Sequence, residues 1–193
     1  CSLNPNQDRC TVTVELEYDR EGNVKACDFY LSIIKSAMRL TYTKVEEMLE
    51  NKRHLFKKDK VHVLRQLEYM AELATILKAK REKRGTIDFD FPEPEVVLDI
   101  EGGLMGIMRS QRLFSHRIIE EFMIAANEAV AEFVTRHNRP LIYRVHEPPD
   151  REKMLNIEKM LHVLNMGYKK YTGQQHFLQS ILKGVRGTPY EYF

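Results

Sequence analysis

TVTVELEY (residues 11–18), DREGN (19–23) and VKACDFYLSII (24–34) run consecutively, and how they are read decides the fold class. Val12, Val14, Leu16 and Tyr18 alternate with Thr11, Thr13, Glu15 and Glu17. A period of two sends one set into a core and leaves the other in water, so residues 11–18 read as a half-buried strand. Asp19 to Asn23 is a turn cluster, and Val24 to Ile34 reads as the returning strand. The expectation is a β-hairpin.

Working outward, the period changes from two to about 3.6. Thr43 and Glu46 have capping-box spacing and predict a short helix over Lys44 to Glu50. Between Asp59 and Arg84, Val61, Leu64, Leu67, Ala71, Ala74 and Leu77 recur at helical steps, with Gly85 where a C-terminal cap belongs. The last turns carry Lys78, Lys80, Arg81, Lys83 and Arg84, which suit the negative end of a helix dipole or, alternatively, an RNA-facing patch. Thr86 to Phe91 alternates until Pro92 and Pro94 end it, and Glu95–Ile100 and Leu104–Met108 about Gly102-Gly103 read as a second hairpin. Ser115 to His137 is the strongest helix, with a predicted buried stripe of Ile119, Phe122, Ala126, Ala129 and Phe133. Leu141 to Val145 reads as a short buried strand. Asp150 caps a helix to about Asn165, and a last helix lies near Gln174 to Lys183. Strand pairs interleaved with helices predict one α+β domain over residues 1–193, with a mixed or antiparallel sheet and several amphipathic helices.

Composition narrows the function classes. The chain has 193 residues, 43% of them hydrophobic and 30% charged, within the globular range. Thirty Lys and Arg against 28 Asp and Glu leave +2, so no global charge points to nucleic acid or membrane. Apolar runs such as Phe122–Ala126 are far shorter than the ~20 residues of a membrane span. Three cysteines, Cys1, Cys10 and Cys27, lack paired spacing and suggest a reducing, cytoplasmic compartment. Because Cys1 opens the chain, processing or excision from a longer protein is expected, and a lipoprotein-like mature end is the lesser alternative.

Catalytic signatures are sparse. Gly102-Gly103-Leu104-Met105-Gly106 has neither the lysine nor the spacing of a phosphate loop, and His146-Glu147 runs into two prolines. His54 and His62 are a weak metal pair. Asp88, Asp90, Glu93, Glu95, Asp99 and Glu101 could be metal carboxylates, although a solvated strand face is the simpler reading. His116 with Glu120, and Arg117 with Glu121, have the spacing of ordinary one-turn helix contacts. Tyr42, Phe89 and Phe91 sit near segment ends and could stack on bases or belong to a core.

Five ordered phrases carry more information: CSLNPNQDR (1–9), AMRLTYTKV (37–45), RGTIDFDFPEPEVVLD (84–99), SHRIIEEFMIAANE (115–128) and LIYRVHEPPD (141–150). Together they resemble the ribonuclease II/R family and its RNB catalytic domain, most of all the ribonuclease R branch. The resemblance implies a processive 3′-to-5′ exoribonuclease that hydrolyses RNA to nucleoside 5′-monophosphates with magnesium. It also implies that this chain is an internal fragment, with the metal-binding aspartates upstream and a catalytic arginine downstream. No catalytic or metal-binding residue, and no bound magnesium, is then expected in the chain itself, which alone would be inactive. Carried over by motif, Phe89 matches a base-clamping aromatic, while Tyr42 and Glu120 match residues beside the terminal nucleotides linked to preference for RNA over DNA. Arg117 would orient Glu120 or reach a phosphate. Ser115 stands where the family often has alanine. The implied partner is a single-stranded RNA 3′ end, with no membrane. The alternative is a non-catalytic RNA- or protein-binding module on the same fold.

Overall fold

The computed structural model describes residues 2–50, 61–88, 93–99, 101–110, 112–166 and 174–190. In chain order the elements are β1 (Asp8–Tyr18), β2 (Val24–Lys35), α1 (Tyr42–Glu50), α2 (Val61–Lys83), β3 (Glu93–Leu98), β4 (Leu104–Ser110), α3 (Phe114–Arg136), α4 (Arg151–Val163) and α5 (Gln174–Val185). β1 pairs with β2 and β3 with β4, so helices stand beside separate two-stranded sheets and the class is α+β, as the change of period predicted. The chain forms two compact units, Cys1–Lys80 with Ser110–Leu141, and Arg81–Arg109 with Ile142–Phe193.

In the first unit the antiparallel register sets Val12 opposite Leu31, Val14 opposite Phe29 and Leu16 opposite Cys27, which gathers the apolar side chains on one face. Phe29 meets Phe133 of α3 with ring centroids 4.6 Å apart. The hairpin turn is organised by Asp19, whose Oδ1 accepts from the backbone N–H groups of Glu21 (3.0 Å) and Asn23 (2.7 Å). Oδ2 accepts from the Asn23 side-chain amide at 2.9 Å. These bonds, that of the Asn23 side chain first, hold the Asp19 carboxyl below its ordinary range. Gly22 supplies the positive φ of 77° the turn requires. Lys80 donates to Gly22 O (2.8 Å) and to Asn23 Oδ1 (2.9 Å), so one charge of the basic helix end fastens α2 to the hairpin.

The periodicity of α2 is borne out: Leu64, Leu67, Ala74 and Leu77 are buried, and Leu64 and Leu67 join Met48 of α1 in a core cluster. Gly85 N donates to Glu82 O and Thr86 N to Arg81 O, the paired bonds of a Schellman end with Gly85 in the left-handed region. α1 departs from expectation at its start. The cap is Thr41, whose hydroxyl accepts from Lys44 N at 3.4 Å, not Thr43, because Glu46 is engaged elsewhere. The buried stripe of α3 also differs, since Ser115, Ile118 and Glu121 are buried while Ile119 and Phe133 are partly exposed. The start of α3 is turned toward α1 and its far end toward the hairpin, so no single straight stripe describes it.

In the second unit α4 and α5 form a core around Met154, Leu161 and Phe177. Asp150 caps α4 as predicted, its side chain accepting from Glu152 N. Gln179 of α5 donates to the carbonyls of Glu82, in the last turn of α2, and Thr86, just after it, both at 2.8 Å. The turn between β3 and β4 repeats the first hairpin's chemistry: Asp99 Oδ1 accepts from Glu101 N (2.9 Å) and Gly103 N (2.7 Å). Asp99 is therefore a turn former. Thr86–Asp88 is irregular, and the rest of that alternating run lies outside the described residues. The expected buried strand Leu141–Val145 is not formed; the segment is irregular, and Ile142 is 99% exposed. A strand needs a neighbour for its N–H and C=O groups, and among the described residues none pairs with this one.

Candidate nucleic-acid interface

The start of α3 is the point where the predicted site residues of the first unit converge. A helix begins with four N–H groups that lack intrahelical acceptors. Leu113, immediately before α3, has no polar side chain to help. Glu46 of α1 takes that place: Oε1 accepts from Phe114 N at 3.1 Å and Oε2 from Ser115 N at 2.7 Å. A carboxylate at the positive end of a helix is favourable by charge as well as by hydrogen bonding. His116 Nδ1 accepts from Leu113 N at 3.2 Å, and His116 N donates to Leu113 O at 3.2 Å. All four donors are satisfied, and two of them are held by another helix.

This junction sets the position of Tyr42. Ser115 Oγ donates to the Tyr42 carbonyl at 2.9 Å, fixing the backbone where α1 begins. The imidazole of His116 stacks on the Tyr42 ring with centroids 4.0 Å apart and planes 24° from parallel. Tyr42 stays 44% exposed, so its ring is braced yet open to a ligand.

One turn further along α3, Glu120 accepts from Arg112 Nη2 at 2.5 Å. The side chains are 29% exposed for Arg112 and 38% for Glu120, an ion pair at the surface. The neighbouring Glu121 is buried, so of the two adjacent glutamates Glu120 is the one a ligand could reach. The expected one-turn contact between His116 and Glu120 is replaced, because His116 turns back to Leu113 and Tyr42 while Arg112 takes the carboxylate.

Tyr42 and Glu120 are thus brought to one end of α3. Arg117 lies half-buried on the same helix, three residues before Glu120. Phe89 and Phe91 lie outside the described residues. Arg112 precedes the helix and obeys no helical spacing to Glu120, so no periodicity marks it, and the spacing of Glu46 to Thr43 points only to a local capping box. The described residues contain no cluster of three or more His, Cys, Asp or Glu that could hold a metal ion. No helix among them is long and apolar enough to cross a membrane.

With this geometry established, similarity to known proteins is decisive. The RNB domain matches residues 1–191. The chain belongs to the RNB domain family. It is 42% identical to ribonuclease R of Aquifex aeolicus over 196 aligned positions, covering 99% of this chain and 27% of that protein. Ribonuclease R of Mycoplasma genitalium, solved with ribose-methylated single-stranded RNA, superposes with a TM-score of 0.87 at 31% identity, over 98% of this chain and 30% of that one. The same enzyme solved with double-stranded RNA gives a TM-score of 0.87, with 98% and 34% coverage. This RNB chain therefore spans about a quarter to a third of the length of these relatives.

Proposed function

We propose that this chain is an internal part of the catalytic domain of a processive 3′-to-5′ exoribonuclease that releases nucleoside 5′-monophosphates, and that it positions RNA. The observation that carries the reading is the match to the RNB domain along residues 1–191, together with a relative whose solved structures hold single- and double-stranded RNA. In this reading Tyr42 and Glu120 face the terminal nucleotides. A phenol and a carboxylate can both sense a ribose 2′-hydroxyl, the group that separates RNA from DNA. Arg112 occupies one oxygen of Glu120, and the remaining lone pairs can accept a hydroxyl proton. Phe89 stacks on a base near the 3′ end, a contact worth about 1–3 kcal/mol and indifferent to sequence. Arg117 orients Glu120 or meets a phosphate.

In the intact protein a bound magnesium ion would supply activation of water and stabilisation of the leaving oxygen, held by residues that the family resemblance puts outside this chain. In this reading the part of this chain is to bind and align the strand. The free thiols of Cys10 and Cys27 suit a reducing cytoplasm.

The test compares the full-length protein with the 193-residue chain on 3′-labelled single-stranded RNA. The full-length protein is expected to digest RNA processively with magnesium and the chain alone to be inactive. Processive digestion by the chain would overturn the fragment reading. Tight RNA binding without hydrolysis by the full-length protein would favour a non-catalytic module instead. Phe89→Ala in the full-length protein should weaken short-RNA binding and slow release of the last nucleotides.

A further inference from the structure

We propose that His116 is a positioning residue for Tyr42: its imidazole is the backing plate that presents the tyrosine ring to RNA. The proposal rests on the assignment of Tyr42 as an RNA contact and adds the residue that makes that contact possible. An exposed tyrosine at the first position of a helix would ordinarily sample more than one side-chain rotamer. Here the choice is removed by two consecutive residues of another helix. Ser115 Oγ, on a buried residue, holds the Tyr42 carbonyl at 2.9 Å, and the His116 ring lies 4.0 Å from the Tyr42 ring at 24°. His116 is held in turn, because its Nδ1 accepts from Leu113 N at 3.2 Å and its backbone lies in the first turn of α3. Glu46, one turn after Tyr42, locks the two helix starts together through Phe114 N and Ser115 N.

With one face of the phenol covered by imidazole, a nucleotide meets the opposite face and the hydroxyl edge. A side chain fixed before binding spares the complex the cost of ordering it. The expected benefit is about 3- to 10-fold in affinity, felt only by ligands that touch Tyr42.

The imidazole has two separable functions, stacking through its ring and accepting through Nδ1. His116→Phe keeps the ring and loses the acceptor, whereas His116→Asn keeps a short polar acceptor and loses the ring. Dissociation constants for an RNA oligonucleotide, and for the same sequence with 2′-deoxy sugars at its 3′ end, would be measured for the full-length protein. Its variants would be Tyr42→Ala, His116→Ala, His116→Phe, His116→Asn and the Tyr42/His116 double alanine. His116→Ala should lower the RNA-over-deoxy preference about 3- to 10-fold. His116→Phe should restore most of it, even if its melting temperature falls as far as that of His116→Ala. In the Tyr42→Ala background the His116 substitution should add nothing. An unchanged preference in His116→Ala beside a lowered one in Tyr42→Ala would overturn the positioning role while leaving Tyr42 as an RNA contact. Rescue by Asn and not by Phe would make the role structural and equally overturn it. An unchanged preference in Tyr42→Ala would remove the underlying assignment and this role with it.

Discussion

Replacing Glu46 with alanine tests whether the junction of α1 and α3 rests on one carboxylate. In the native protein Glu46 accepts from Phe114 N at 3.1 Å and Ser115 N at 2.7 Å, at the positive end of a 23-residue helix. The two donors fare differently once it is gone. Phe114 is exposed enough for water to replace its acceptor, so that loss resembles an ordinary N-cap deletion of about 1 kcal/mol. Ser115 is 2% exposed, and an orphaned buried donor costs about 1–3 kcal/mol. Together the local opening free energy of the first turns of α3 should fall by about 2–4 kcal/mol. At about 1.4 kcal/mol per factor of ten, this corresponds to a loss of roughly 30- to 700-fold in amide protection. Native-state hydrogen exchange resolves the change residue by residue, at the amides of Ser115, His116 and Ile118, with the β1–β2 amides as an internal control. Glu46→Gln keeps one acceptor oxygen and should lose about half as much in free energy. Protection at the start of α3 unchanged within threefold in Glu46→Ala would refute the reasoning.

Three further outcomes follow from the same geometry. Gly22→Ala places a methyl 2.9 Å from Ile76 Cγ2 at a backbone φ of +77°, and should destabilise the hairpin by about 1–3 kcal/mol, read as lost amide protection across Asp19–Asn23. Phe177→Ala removes a side chain 2% exposed from the α4–α5 core and should cost about 3–5 kcal/mol, visible as faster proteolysis of that unit; wild-type resistance would contradict the packing. Asp19 has its folded pKa lowered by the Asn23 side chain first and by backbone donors next, so the turn's stabilisation is present at neutral pH. It is lost as pH falls from the ordinary aspartate range through the lower folded value. NMR titration of the Asp19 carboxyl should show this, with Asn23→Ala moving the midpoint back up; a midpoint unmoved by that substitution would count against it.

Much of this architecture was legible because its signals are short in range. Alternation over residues 11–18 and the Asp19–Asn23 turn chemistry are complete within about twenty residues, and both strands form where they indicate. The stripe of α2 and its Gly85 end are likewise local, and the burial of Leu64, Leu67, Ala74 and Leu77 follows from helical period alone. The family was also legible, carried by five phrases spread over the chain and matched by the RNB domain across residues 1–191. Leu141–Val145 misled because a hydrophobic run specifies burial without naming a neighbour, and Ile142 lies in solvent.

The site divides in the same way. Sequence by itself, through the family resemblance, singled out the candidates Tyr42 and Glu120. Tertiary structure decided what each of them touches. Glu46 has ideal spacing for a local capping box, yet it caps a helix 68 residues away, because Leu113 cannot cap its own. His116 has helical spacing to Glu120 and turns instead to Tyr42, and Arg112 reaches Glu120 across the helix start. Periodicity reports which side of an element a residue occupies, since that is fixed by backbone geometry. Which of several hydrogen-bond partners within reach wins depends on unsatisfied donors brought together by folding, and these belong to no single stretch of sequence.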